Sequence, residues 1–286
     1  MTWIFYALTA VVFYTFLTLS QRVIATKSKY PRAASFVFNL FASATTLIYL
    51  FFTGGLKDIT FKASLPAWGT VLIACLFYGL FERNRFIIYK YLDASNATIV
   101  SNVSVVIAFV GSLFIYHEHL SLPKLVGALL ILIALVVISQ NKSKSSHFST
   151  KGLLIGLLIY TFGGLGWMLD KAGATNFNSS TYSLFVWIFP TILVFLPFIK
   201  KSEIVTEIKL GGWKILVAAA LNAFGYLFQL RALEISEATK VLPILQTSTF
   251  FTVILAALLL KEKDHLGRKS ICAILAIIGS VLLINA

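Results

Sequence analysis

Apolar residues run in long blocks along this chain, and polar residues gather between the blocks. A helix that crosses a bilayer needs roughly 20 mostly apolar residues. Ten stretches come near that length: 3–23, 33–52, 66–91, 95–116, 123–140, 151–172, 181–199, 212–233, 239–260 and 267–284, taken here as spans 1 to 10. The pattern inside the blocks also repeats. Residues 101–118 read SNVSVVIAFVGSLFIYHE and residues 245–262 read LQTSTFFTVILAALLLKE. Each has a carboxamide, Asn102 or Gln246, with a serine two residues on, Ser104 or Ser248. Each then runs apolar to a glutamate, Glu118 or Glu262, and a last apolar span containing glycine follows. Residues 13–25 (FYTFLTLSQRVIA) match 162–174 (FGGLGWMLDKAGA) in the leading Phe, a basic residue (Arg22, Lys171) and the closing Ala.

The expected fold is an all-α membrane protein of ten transmembrane helices in two repeats. Residues 1–140 form the first five-helix repeat, 141–150 a polar linker, and 151–286 the second repeat. Five is odd, so the second repeat enters the bilayer from the opposite side. That inversion puts a pseudo-two-fold axis in the membrane plane, a common plan among secondary transporters.

Composition agrees: 58% of the 286 residues are hydrophobic, 12% are charged, and mean hydropathy is +0.88. A soluble fold cannot bury that much apolar surface. The net charge of +13 does not mark a nucleic-acid binder, because Lys and Arg sit in short runs between apolar blocks. Sixteen lie in or beside the connections after spans 1, 3, 5, 7 and 9, against six on the other side. The positive-inside rule then puts the sixteen in the cytoplasm and both chain ends outside; the expected location is a bacterial or archaeal cell membrane, as a multi-pass protein. Cys75 and Cys272 lie inside apolar blocks and read as small packing residues. No cofactor is expected, and no nucleophile elbow, phosphate-binding loop or dinucleotide fingerprint supports an enzyme.

Candidate chemistry centres on Glu82-Arg83-Asn84-Arg85, which interrupts span 3. Ionisable groups within a span usually face a cavity or each other. Glu82 and Arg85 are three residues apart and share a helix face, which Tyr78 and Tyr89 extend by a turn each way. Arg85 suits a carboxylate through two parallel hydrogen bonds. Glu82 suits a cationic group, or a proton taken up for coupling; Asp170 is the second choice for that proton. The competing view ends the helix near Phe81 and lets the arginines snorkel to the cytoplasmic surface. Polar stripes at spacings of three and four mark other spans: Asn39, Ser43 and Thr46; Asn102 with Thr98; Asn222, Tyr226 and Gln229; Gln246 with Thr249. They line a wet cavity or tie helices together. Tyr14, Tyr160, Trp167 and Trp187 are candidates for an aromatic wall around an organic solute. Gly163, Gly164 and Gly166 permit close helix approach, and Pro190, Pro197 and Pro243 are possible kinks. His117-Glu118-His119 lacks the spacing of a metal site, and Lys261-Glu262-Lys263 takes its place in the second repeat, so a helix-end role is expected and no metal.

With these features the chain resembles a ten-helix EamA-like member of the drug/metabolite transporter superfamily. The likeness rests on the doubled pattern: a turn of small residues (94–97, 235–238), an apolar helix, a Glu, and a helix containing Gly127 or Gly279. It departs in lacking the proline the family often places near Ser104 and Ser248. The resemblance implies a carrier of small organic metabolites; known relatives export amino acids or drugs, or carry sugar phosphates. It also implies a central cavity walled by spans 1, 3, 4, 6, 8 and 9, pointing to Tyr14, Glu82, Arg85, Asn102, Trp167, Tyr226 and Gln246. The expected function is export of amino acids or related solutes by alternating access around a midplane cavity, with lipid and solute as the partners of a monomer. Two alternatives stay open. A lipid-linked or hydrophobic-cation flippase or drug exporter would open its cavity sideways to lipid. A non-transporting receptor or assembly protein would be a closed, dry bundle with Glu82 paired to Arg83 or Arg85.

Overall fold

The structure is a computed structural model that describes residues 2–116, 121–139, 150–262 and 265–284. The triplet 117–119, most of the linker 141–150, and Lys263 lie outside the described residues. Among the described residues the regular structure is all helical. The first half holds α1 (Trp3–Lys27), α2 (Pro31–Thr53), a short 3₁₀ turn (Gly55–Asp58), α3 (Leu65–Tyr91), α4 (Ala94–Val100), α5 (Asn102–Ile115) and α6 (Leu122–Ser139). The second holds α7 (Thr150–Phe195), α8 (Lys201–Gly211), α9 (Trp213–Ile235), α10 (Ala238–Gln246), α11 (Ser248–Leu259) and α12 (Leu266–Ile284). Seven helical stretches are long and apolar enough to cross a membrane, with α4–α5 one of them and most of α10–α11 another. The protein is thus a multi-pass membrane protein; the sequence pattern of ten crossings goes beyond those seven.

Large apolar side chains point outward. On α1, Phe5, Leu8, Val12 and Phe16 recur at helical spacing and are about half exposed, while Ala7 and Ala10 are fully buried. An outward apolar stripe is stable only where the solvent is lipid. Small inward residues let helices pack closely, since lipid offers no hydrophobic drive between them.

The packing respects an exchange of the halves. α1 packs on α9, and its second-half counterpart, the first arm of α7, packs on α3. α6 packs on its own counterpart, α12. At Gly164 the first arm of α7 crosses α5 so closely that an added Cβ would stand 2.8 Å from the backbone Cα and O of Ser104. Backbone atoms cannot step aside, so Gly164→Ala is expected to destabilise by about 1–3 kcal/mol. Gly69→Ala, with nothing within 4 Å of the new Cβ, should be neutral or stabilising by up to about 1 kcal/mol. Thermal unfolding of both variants in lipid nanodiscs checks the contrast; equal midpoints would mean the crossing is looser than described.

Three breaks shape the interior. α7 consists of two helical arms that meet at Asn178, where φ is 58° and ψ is 163°, so the two separate helices expected at 151–172 and 181–199 are both present and extend toward each other beyond those bounds. Asparagine tolerates a positive φ better than most residues. Its Oδ1 accepts from the Thr181 amide at 2.9 Å, capping the second arm, and its Nδ2 donates to the Asp58 carbonyl at 2.7 Å. The other breaks fall at Ser101, between α4 and α5, and Thr247, between α10 and α11. In each, the break residue's hydroxyl donates 2.7 Å to the carbonyl three positions back, Thr98 or Ile244. Such back-bonding bends helices, and at Ser101 and Thr247 it accompanies breaks at residues that are not proline.

The sequence pattern did not anticipate α8, expected as a loop. Its Glu207, almost fully buried, accepts from the amides of Lys29 and Tyr30 at 2.8 and 2.7 Å and so caps the start of α2.

Candidate functional site

α3 runs unbroken from Leu65 to Tyr91, so the view that it stops near Phe81 with exposed arginines does not hold. Glu82 and Arg85 are 3% and 8% exposed and face inward, away from both lipid and bulk water. Arg85 Nε donates to Glu82 Oε2 at 2.7 Å and its Nη2 to Oε1, the two-pronged geometry a guanidinium offers a carboxylate. Its Cζ stands over the rings of Phe38 and Phe81, 5.0 and 4.8 Å from their centroids. Asn39, on α2, donates to Glu82 Oε2 at 3.0 Å. Arg83 takes another path: it donates to the carbonyls of Leu193 and Leu196, while Arg32 donates to those of Val194, Phe195 and Pro197. Two arginines thus satisfy the open carbonyls where α7 ends.

Asp170, the second choice for a coupled proton, sits in the first arm of α7 about two turns before the Asn178 break and is fully buried. Tyr78 donates to both of its carboxylate oxygens at 2.8 Å. Tyr226 and Tyr182 donate to Oδ1 at 2.8 and 3.1 Å, and Gln229 Nε2 to Oδ2 at 2.9 Å. Tyr14 in turn donates to Gln229 Oε1 at 2.7 Å. The cluster draws on α1, α3, both arms of α7, and α9.

Between these two centres lies a cavity of about 120 Å³, room for roughly four water molecules at liquid density. Glu82 and Arg85 form part of its wall, and Tyr78, Tyr226, Trp167 and Trp187 supply aromatic surface. Trp187 and Tyr78 both meet the Tyr226 ring edge-on, at 5.7 and 6.0 Å between centroids. The Trp187 indole N–H, a donor only, has no hydrogen-bond partner among the described residues. Tyr14, Tyr89, Tyr160, Asn222 and Gln246 also line the cavity. Three residues expected there do not. Asn39 stands behind Glu82, Gln229 behind Tyr14 against Asp170, and Asn102 turns its amide to the carbonyls of Thr98 and Ile99 at 3.1 and 2.9 Å. Spacing placed each on a polar face, but a neighbouring polar group claimed it first. Gln21, which sequence reasoning passed over, joins the wall and accepts from the Tyr89 hydroxyl at 2.9 Å; a carboxamide one turn before the end of an apolar span was its only signal.

A cluster of charges lies next to Gln21 and Tyr89. Arg22 donates to the Tyr89 carbonyl and to Asp93 Oδ1 at 3.0 Å, with its Nε 3.4 Å from Glu262. Glu262 accepts from the amides of Ala94 and Ser95 at 3.1 and 3.2 Å and from the Ser95 hydroxyl at 2.8 Å. That pins a helix start with a carboxylate. Lys269, fully buried, donates to Ser95 Oγ at 3.0 Å and lies 3.8 Å from Asp93. Two cations and two anions from both halves cancel there. The sequence offered Arg22 only as a repeat marker, and Glu262 only as the end of a motif.

Among the described residues, no three His, Cys, Asp or Glu side chains gather as metal ligands. No curated protein matches the chain. A crystal structure of a protein described no further superposes with TM-score 0.67 at 15% identity, covering 97% of this chain and 94% of that one, which shows a shared fold. The model of the EamA-like transporter family matches twice, over residues 1–140 and 150–286. The two matches take in nearly the whole chain and coincide with the two halves read from its repeat, and the chain belongs to the EamA-like transporter family.

Proposed function

We propose that the protein is a secondary carrier that exports a small organic metabolite, of the amino-acid class, by alternating access. The observation that carries this reading is the cavity between the halves, where a carboxylate–guanidinium pair, aromatic faces and an unpartnered indole N–H share one wall. A zwitterion has a carboxylate for Arg85 or the indole, an ammonium for Glu82 or a ring face, and a side chain for the aromatic wall. The halves lie across ten crossings, the second inserted opposite to the first, and rock about this cavity. The exchange symmetry of the contacts supports that arrangement. The four-charge cluster of Arg22, Asp93, Glu262 and Lys269 acts as the closed door at the basic, cytoplasmic end, and both chain termini lie outside. The protein works as a monomer, since the cavity is walled by one chain.

The pairing of Glu82 with Arg85 also suits a second reading, a membrane receptor or assembly protein that moves nothing. The two separate by experiment. Purified protein is screened by thermal shift against amino acids, amines and sugar phosphates, and hits are followed as labelled solute in proteoliposomes. A ligand at 100 times its Kd is expected to stabilise by about 2.7 kcal/mol. Trp167→Ala should reduce that shift, and counterflow should follow the same order of ligands. A stabilising ligand that never crosses the membrane would favour the receptor. No stabilisation by any of the three classes would overturn the amino-acid assignment.

A further inference from the structure

Two carboxylates lie deep among these helices, and they are held in opposite ways. Glu82 is engaged by a permanently charged guanidinium, with Asn39 as a third donor. A proton on Glu82 would leave Arg85 as an uncompensated cation between two phenyl rings, a costly state in a buried setting. Asp170 is held only by neutral groups: three tyrosine hydroxyls and one carboxamide, with no Lys or Arg partner among the described residues. A tyrosine hydroxyl both donates and accepts. When Asp170 carries a proton, Tyr78, which now donates to both oxygens, can turn its own proton aside and accept instead. The hydroxyls around Asp170 can thus take the donating or the accepting part.

We infer that Asp170 is a proton-binding site that loads and releases one proton through the Tyr78 and Tyr226 hydroxyls. Both tyrosines line the cavity, so Asp170 lies one hydroxyl away from it. The titratable and charged groups around it are Tyr14 from α1, Tyr78 and Cys75 from α3, Tyr182 from the second arm of α7, and Tyr226 from α9. The nearby Glu82–Arg85 pair sums to zero charge. Binding one proton removes one negative charge and turns an acceptor of four groups into a donor to one of them. This loosens a ring of hydrogen bonds that joins α1 and α3 to α7 and α9 across the two halves. The use of that proton to drive transport rests on the carrier reading above; the site itself does not.

Infrared difference spectra of the full chain in nanodiscs, stepped in pH, read the proton directly. The wild type and the charge-neutral double variant Glu82→Gln/Arg85→Gln are expected to share a carboxylic-acid carbonyl band that rises as pH falls, and Asp170→Asn to lack it. Asp170→Glu, which keeps a carboxyl but lengthens its reach, should keep a band with a displaced midpoint. Should Asp170→Asn fail to fold, the Asp170→Glu midpoint decides. The inference is overturned if Asp170→Asn keeps the band, if Glu82→Gln/Arg85→Gln loses it, or if Asp170→Glu leaves the midpoint unmoved. In parallel, proteoliposomes are given a labelled amino-acid mixture under a pH gradient. The band without solute movement would sink the carrier reading alone; solute movement without the band would sink the proton site alone.

Discussion

Lys269→Met is expected to destabilise the protein by about 3–5 kcal/mol. The Lys269 side chain is 1% exposed and serves Ser95 and Asp93 at once. Its removal leaves Asp93 and Glu262 facing Arg22 alone, a net negative charge with little water to solvate it. Adding Asp93→Asn to Lys269→Met restores neutrality and should recover most of the loss, because the penalty lies in the unpaired charge more than in the missing bond. Lys240 gives the contrast. It pairs with Glu237 at 3.1 Å, but both side chains are about half exposed, and Lys240→Met should cost no more than about 1 kcal/mol. Unfolding of the four proteins in nanodiscs reads all of this. A Lys269→Met loss as small as that of Lys240→Met would mean the cluster is wet, and its part as a closed end would go with it. If it is the closed end, the same variant should also make Ser95 more accessible: a cysteine placed there in a background without Cys75 and Cys272 should label faster.

The second large effect is at the Glu82–Arg85 pair. Arg85→Gln leaves a buried carboxylate with Asn39 as its remaining named donor, a change expected to cost about 3–5 kcal/mol. The double variant Glu82→Gln/Arg85→Gln removes both charges and should return to within about 1–2 kcal/mol of the wild type, so the two changes are far from additive. Solute binding separates structure from function here. If the pair only braces α3, the double variant should keep the thermal shift produced by a solute. If Arg85 meets the solute, the shift is lost although stability is regained. A double variant as unstable as Arg85→Gln would show that the pair is held by more than its mutual charge.

The legible part of this protein was the part written in local periods. Runs of about 20 apolar residues gave most of the helices, and the doubled pattern around Asn102 and Gln246 gave the two halves that the family model also separates. The i, i+3 spacing of Glu82 and Arg85 put them on one face of α3, where they do pair. Tyr14, Tyr78, Tyr89, Tyr160, Trp167, Asn222, Tyr226 and Gln246 were named from stripes and aromatic content, and each reaches the cavity wall. Asn39 and Gln229 came from equally regular stripes, yet they support Glu82 and Asp170 from behind. A stripe shows that a face is polar, but it does not show which polar group stands opposite.

The sequence by itself determined the solvent of this protein, its helical class, its two-fold internal repeat and the helix face that carries the Glu82–Arg85 pair, because each is written in composition, in a recurring pattern or in spacing within one helical turn. Tertiary structure alone decided that Asp170 would be ringed by Tyr78, Tyr182, Tyr226 and Gln229, and that Arg22 would meet Glu262 from the far end of the other half. Those partners lie up to 240 residues apart, and no period along a chain records which helices will be neighbours. Burial then does the rest: once an acid or a base is closed away from water, it must be matched by whatever the fold has brought beside it.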